Sequence, residues 1–349
     1  MKPLRIAING YGRIGRCLVR ALFESGPRQL QLVAINEPAE LKTIAHLTRY
    51  DSTFGRFSKP VDEVEDGLLI DGELVRVCGE TNVSKLPWGE LDIDVVLECS
   101  GTFSSRREAE QHLQAGAKRL IFSHPAESED DVDATIVYGI NHRELSGEER
   151  ILSTGSCTTN CVVPVLDVLR HHLDIEAGML NTIHSAMNDQ PVIDAYHHTD
   201  LRKTRSAIQS IIPVDTGLAR GIGRFFPCLL GRLESTAIRV PTVNVSAVNL
   251  TLTVAQHTDA ATVNALIEQA AVQAGAVLGI TEEPLASCDF LRDPRSGIVD
   301  AGQTRVANGH LVKLLVWFDN EWAYSNRMLD VCEHIQTLDD DIARALVNN

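Results

Sequence analysis

The sequence predicts an α/β protein of two domains, and three observations carry that reading. Its 349 residues exceed the roughly 100–200 residues typical of one domain. Over the first half, short apolar runs alternate with helical patterns, which implies a parallel sheet covered on both faces. Over the second half, longer alternating strands replace them, as in a mixed, largely antiparallel sheet with helices on one side.

The elements follow in order. Leu4–Asn9 reads as a buried strand, and residues 14–24 as a helix with Ile14, Cys17, Leu18, Ala21 and Leu22 at helical spacing. Residues 32–36, 95–99 and 120–122 read as further strands, with a helix over 106–115. This repetition is the doubly wound pattern. Beyond it come a helix over 158–171, a strand over 178–184, and an irregular segment, 187–213, rich in His, Asp, Arg and Pro. Residues 238–240, Ser246–Val254 and 311–317 read as strands, and Ala260–Ala274 and 325–335 as helices. The expected division is 1–156, 157–319, and a C-terminal stretch, 320–349, that packs back on the first domain. Residues 339–349 are expected to fray.

Composition excludes some functions. Forty-seven Asp and Glu against 32 Lys and Arg give a formal charge of −15, which disfavours nucleic acid or an anionic membrane as partner. Hydrophobic content of 44% supports a sizeable core. No apolar run approaches the ~18 residues of a membrane span, and the N-terminus lacks the pattern of a signal peptide. The eight cysteines are scattered, with no Cys-x-x-Cys pair. Neither a disulfide framework nor a metal site is expected, and most of the cysteines read as buried hydrophobes in a reducing compartment. Two His doublets, His171–His172 and His197–His198, read as solvated or packed.

Gly10, Gly12 and Gly15 follow the first strand and open the first helix. In such a turn the first glycine makes the bend, the second lets backbone approach a pyrophosphate, and the third lets helix and strand pack closely. The helix start offers amides and a positive dipole end to the anion. Glu37 ends the second strand about 20 residues on, where a carboxylate bonds the ribose hydroxyls of NAD and repels the extra phosphate of NADP. The expected first domain is therefore a Rossmann domain with NAD as cofactor.

Cys157 sits between a strand over 150–153 and the helix that follows. A thiol at a helix start is expected to have a lowered pKa and to be a strong nucleophile toward an aldehyde. Amides of Cys157 or Thr158 suit an oxyanion. His184 ends the next strand and is placed to act as base. On these residues alone both readings stand, a catalytic pair or a buried cysteine and a satisfied core histidine.

At this point a resemblance enters. The run 8–16 (Ile-Asn-Gly-Tyr-Gly-Arg-Ile-Gly-Arg), the signature 156–160 (Ser-Cys-Thr-Thr-Asn), the run 317–321 (Trp-Phe-Asp-Asn-Glu), the run 34–37, Thr216-Gly217 and the run 239–242 resemble the glyceraldehyde-3-phosphate dehydrogenase superfamily. The likeness covers nearly the whole chain in order. Within the superfamily, Glu37, the run 122–125 (Phe-Ser-His-Pro) and the run 184–190 (His-Ser-Ala-Met-Asn-Asp-Gln) look most like the erythrose-4-phosphate dehydrogenase branch, which feeds pyridoxal 5'-phosphate synthesis. The resemblance implies a cytoplasmic homotetramer acting on a small phosphorylated aldose. It places Cys157 and His184 on the catalytic pair. Gly10, Gly12, Arg13, Ile14, Gly15, Glu37, Ser100, Ser123, Asn320 and Tyr324 fall on the cofactor. Ser156, Thr158, Arg205, Thr216, Gly217 and Arg239 fall on the substrate and anion sites.

One departure stands out. Glycolytic members carry Thr three and five residues after the catalytic His, where this chain has Met187 and Asp189. Met donates no hydrogen bond and an ionised Asp repels phosphate, so an anion site is expected to be weakened. The expected reaction is hydrolytic oxidation of erythrose 4-phosphate through a Cys157 thioester. The alternatives are the phosphorylating glycolytic dehydrogenase and a non-catalytic NAD-binding scaffold.

Overall fold

The first strand, Leu4–Asn9, is buried almost throughout and pairs in parallel with Leu30–Asn36 on one side and Val95–Glu98 on the other. Between the first two strands runs the helix Arg13–Glu24, which buries Cys17, Leu18 and Ala21. The computed structural model describes residues 2–197 and 200–347. His198, half of one His doublet, and Asn348 and Asn349 of the tail lie outside the described residues.

Two compact units divide the chain, 1–156 with 325–349, and 157–324. The first unit is built on a nine-stranded sheet. Its order from one edge is Ala134–Thr135, Ile151–Ser153, Arg119–Phe122, Val95–Glu98, Leu4–Asn9, Leu30–Asn36, Glu73–Cys78, Gly67–Ile70 and Val61–Val64. Pairing is parallel as far as Glu73–Cys78, and the last two strands return antiparallel. Strand order reverses about Leu4–Asn9, which makes its C-terminal end the switch point where doubly wound sheets bind ligands. The edge hairpin escapes sequence reading because three of the four residues of Val61–Val64 are exposed, so no apolar run marks it.

The last helix, Trp322–Val347, is longer than residues 325–335. Asp339, the first residue of the stretch expected to fray, is held: the Arg119 guanidinium grips both its oxygens at 2.7 and 2.8 Å. Earlier in the helix, Arg28 binds Asp330 at 2.8 Å and Glu333 at 2.7 Å. These half-buried pairs tie residues 325–339 to the first unit's sheet.

The second unit carries an eight-stranded mixed sheet. Leu233–Val240 and Ile175–Ser185 run parallel, and Ile175–Ser185, Ser246–Val254 and Leu311–Phe318 run antiparallel. The helix Cys157–Leu173 is apolar and buried through Cys161, Val162, Val163, Val165 and Leu166. All eight cysteines are free, but Cys228 and Cys288 are exposed rather than buried. Among the described residues no helix is long and apolar enough to cross a membrane.

Gly15 packs on the Gly10 carbonyl so closely that a methyl group there would overlap it. Gly15→Ala should therefore destabilise the first unit by about 1–3 kcal/mol, read as a lower denaturation midpoint at unchanged m-value.

Candidate active site

The first unit's site begins with the glycine turn. Gly10 has φ +90° and lies against the Ser100 backbone, where any side chain would collide. Gly12 differs. Its φ is −72° and nothing lies within 4 Å of where a Cβ would stand. The fold gives no internal reason for glycine there, and a ligand approaching the backbone from outside does. The first helical bond runs from Arg16 N–H to the Gly12 carbonyl, so the turn before it presents its amides at the helix end.

A cleft of about 410 Å³ opens over this turn, lined by Asn9, Gly10, Gly12, Asn36, Glu37, Pro38, Glu80, Thr81, Val83, Ser100, Thr102 and Phe103, among others. One Glu37 oxygen accepts the Tyr11 N–H at 2.9 Å, which fixes the carboxylate on the cleft rim. Residues 80–83 were not legible beforehand, since no periodicity marks them. Two expected residues contribute differently. Arg13 turns its guanidinium to Asp51 at 2.5 Å and over Phe54, and neither Arg13 nor Ile14 lines the cleft; what they offer is backbone at the helix start. Ser123 lies behind the wall, its hydroxyl bonded to Cys99.

The second unit's site centres on Cys157, first residue of its helix. Gly155, at φ +64°, makes the turn before it. His184 Nε2 lies 3.7 Å from the Cys157 sulfur. His184 Nδ1 lies 2.8 Å from the Ser185 carbonyl, so Nδ1 carries the proton and Nε2 is left as acceptor toward the thiol. The Phe318 ring stands edge-on at 6.4 Å.

The expected low thiol pKa is not what the structure gives. Burial pushes the Cys157 thiol up to about 11, with the Thr158 hydroxyl and the amides of Thr158 and Cys157 offsetting it in part. Burial also lowers His184, and nearby Arg239 adds to that. Both shifts favour the uncharged thiol and imidazole over the ion pair, because burial opposes charge on either group and outweighs the pull of the helix start.

Register places Arg239 beside His184 on the neighbouring strand. Arg239 is buried, and its Nη1 binds Asp189 Oδ1 at 2.5 Å. The other Asp189 oxygen takes Lys203 Nζ at 3.1 Å. Burial pushes Asp189 up, but Arg239 and Lys203 outweigh it and hold the carboxyl below its ordinary value. Arg205, expected at an anion site, instead pairs on the surface with Asp194 at 2.9 Å. Thr216 and Gly217 cap the helix Leu218–Phe225, whose Gly221 faces the Thr159 hydroxyl. Ser156 is half-buried, and Thr158 is buried beside the sulfur.

Asn320 is buried, and its Oδ1 accepts from Ser185 Oγ at 3.1 Å and Ser246 Oγ at 2.9 Å. These hydroxyls fix the amide with Nδ2 as the donor end. Asp319 holds the turn by accepting from Asn244 Nδ2 and the amides of Arg292, Glu321 and Trp322. Between Asn244 and Ser246, Val245 sits at φ +64°, an outlier for a β-branched residue that its flanking bonds impose. Tyr324 is buried.

A parallel sheet with an open glycine turn at its switch point, in a chain that also bears a Cys–His pair, is the arrangement of a dinucleotide-binding enzyme. Residues 4–106 match the glyceraldehyde 3-phosphate dehydrogenase NAD binding domain, and residues 156–320 match the glyceraldehyde 3-phosphate dehydrogenase C-terminal domain. The chain belongs to the glyceraldehyde 3-phosphate dehydrogenase family.

Because the resting pair is neutral, alkylation of Cys157 by iodoacetamide should climb with pH from 7 to 10. His184→Asn should slow it about 10–100-fold at pH 8. A rate already level at pH 7, or indifferent to His184, contradicts the neutral pair.

Proposed function

We propose that the chain oxidises D-erythrose 4-phosphate to 4-phosphoerythronate, with Cys157 forming a thioester that water hydrolyses, as a cytoplasmic step toward pyridoxal 5'-phosphate. The observation that carries the hydrolytic part is Asp189 on Arg239. A carboxylate already bonded to the guanidinium opposes a second anion there by like charge. Inorganic phosphate, the deacylating nucleophile of the phosphorylating alternative, meets that opposition; water does not.

The residues present fit the cofactor, since Gly12 is open to a ligand and Glu37 stands on the cleft rim. Gly10, Gly12 and the amides of Arg13, Ile14 and Gly15 would hold the pyrophosphate, Glu37 a ribose, Ser100 the central part with Ser123 supporting Cys99 behind it, and Asn320 with Tyr324 the carboxamide. NAD, when bound, accepts a hydride.

His184 Nε2 takes the Cys157 proton as sulfur attacks the aldehyde carbon, then returns it to the alkoxide oxygen, giving a hemithioacetal. The Cys157 and Thr158 amides, which already face the sulfur, suit the carbonyl oxygen. The same imidazole receives the hemithioacetal hydroxyl proton as the thioester forms. After releasing that proton to solvent, Nε2 takes one from the attacking water and returns it to sulfur as the tetrahedral adduct collapses, so the acid leaves with the thiol restored. Arg239, Thr216 and Gly217, with Ser156 and Thr158, would anchor the substrate's own phosphate, which the covalent bond to sulfur holds in place as free phosphate is not held. Arg205, spent on Asp194, has the weakest claim.

The homotetramer is supported by the apolar side chains that the segment 187–213 leaves exposed. Ile193, Tyr196, Leu201, Ile208 and Ile211 are all more than half exposed, an unusual density for a monomer surface. A reducing compartment suits eight free cysteines.

NADH formation from erythrose 4-phosphate should proceed in phosphate-free buffer and be abolished by Cys157→Ser. A strict requirement for phosphate, with glyceraldehyde 3-phosphate preferred, would establish the phosphorylating reading instead. Asp189→Thr should free Arg239 and raise the rate several-fold on adding 10 mM phosphate, roughly what one weakened ion pair is worth; a phosphate-indifferent variant removes Asp189 from the argument.

A further inference from the structure

Three strands end in register with Asn36, Asn9 and Glu98 side by side beneath the dinucleotide cleft. Glu98 is fully buried, as are the His112 and Trp88 side chains behind it. A buried carboxylate is retained only where its bonds are made, and the hydrogen bonds Glu98 accepts, from Ser100 and Asn9, both lead toward the cleft. Glu98 Oε1 accepts the Ser100 N–H at 2.8 Å. Glu98 Oε2 accepts from Asn9 Nδ2 at 2.5 Å. The Trp88 indole donates to His112 Nδ1 at 3.0 Å, so the ring proton sits on Nε2, which faces Glu98 Oε2 at 3.3 Å.

The chain continues in one direction. Asn36 Nδ2 donates to Asn9 Oδ1 at 2.7 Å and to the Glu80 carbonyl at 2.9 Å, while Asn36 Oδ1 accepts the Glu80 N–H at 2.9 Å. Each amide therefore has one permitted orientation. Backbone at residue 80 fixes one end, and the acceptor-only carboxylate of Glu98 fixes the other.

We infer that Glu98 is a positioning residue for NAD: through Ser100 it seats the wall under Gly10, and through Asn9 and Asn36 it clamps the wall at residues 80–83. An amide at 98 keeps the Ser100 bond but sets its own NH₂ against the Asn9 NH₂. Rotating Asn9 only moves the clash to Asn36, where the Glu80 backbone forbids rotation. The network thus has no relaxed form without an anion at 98.

The test is NAD titration of full-length protein by intrinsic fluorescence, which needs no aldehyde substrate. Glu98→Gln should weaken NAD binding about 10-fold or more, the loss expected of one buried donor left opposed. Asn36→Ala, two bonds away, should weaken it similarly. An unchanged rate of Cys157 alkylation would show that the effect is confined to the first unit, and the opposed donors should also lower the melting temperature by a few °C. Should Glu98→Gln fail to fold, the Asn36→Ala titration decides. NAD affinity within two-fold of the parent in a folded Glu98→Gln chain, or in Asn36→Ala where the former does not fold, overturns the proposal.

Discussion

A thiol and an imidazole held close in a dry place, neither charged, is the constraint on which the second unit's chemistry turns. Burial raises the sulfur and lowers the ring. The pair then depends on direction: the Ser185 carbonyl takes the Nδ1 proton and leaves Nε2 facing sulfur. Ser185 is also a donor to Asn320. One residue thereby sets both the tautomer of the base and the orientation of the amide proposed to hold the carboxamide. Asp319 and the strained Val245 keep the surrounding backbone in that arrangement. Strain of this kind persists only where neighbours over-determine it.

Charge is handled differently a strand away. Arg239 is buried and would be costly unpaired, and Asp189 supplies the counter-charge from within the chain. Lys203 on the far oxygen keeps the carboxylate from being a free anion. The three together are one positive charge in excess, shared rather than concentrated. A site of that kind binds an anion that is also held by a covalent bond better than one that arrives alone.

Much of this was legible in the sequence, and the failures have physical reasons. Gly10, Gly12 and Gly15 announce themselves because backbone geometry and close approach exclude other residues. Apolar periodicity located the central strands, since those are buried on both faces. The edge hairpin at 61–70 was illegible because its outer strand is exposed and polar. The hold on Asp339 was illegible because its partner, Arg119, lies 220 positions away. The direction of the Cys157 shift was misread because a helix start can be recognised from residues while desolvation cannot. Asp189 was visible as an odd residue, but only the register of His184 with Arg239 brings the guanidinium within its reach.

Gly12 separates two properties, a place in the packing and a place at the ligand, that Gly10 and Gly15 combine. Its neighbours leave open space around it, so a methyl group there disturbs nothing that holds the chain together. On the proposed cofactor role, damage at this point would leave a well-folded protein present at normal abundance with a weakened hold on dinucleotide. Screens that score variants by how much protein accumulates would pass such a chain as healthy, and only an assay of ligand occupancy would find it.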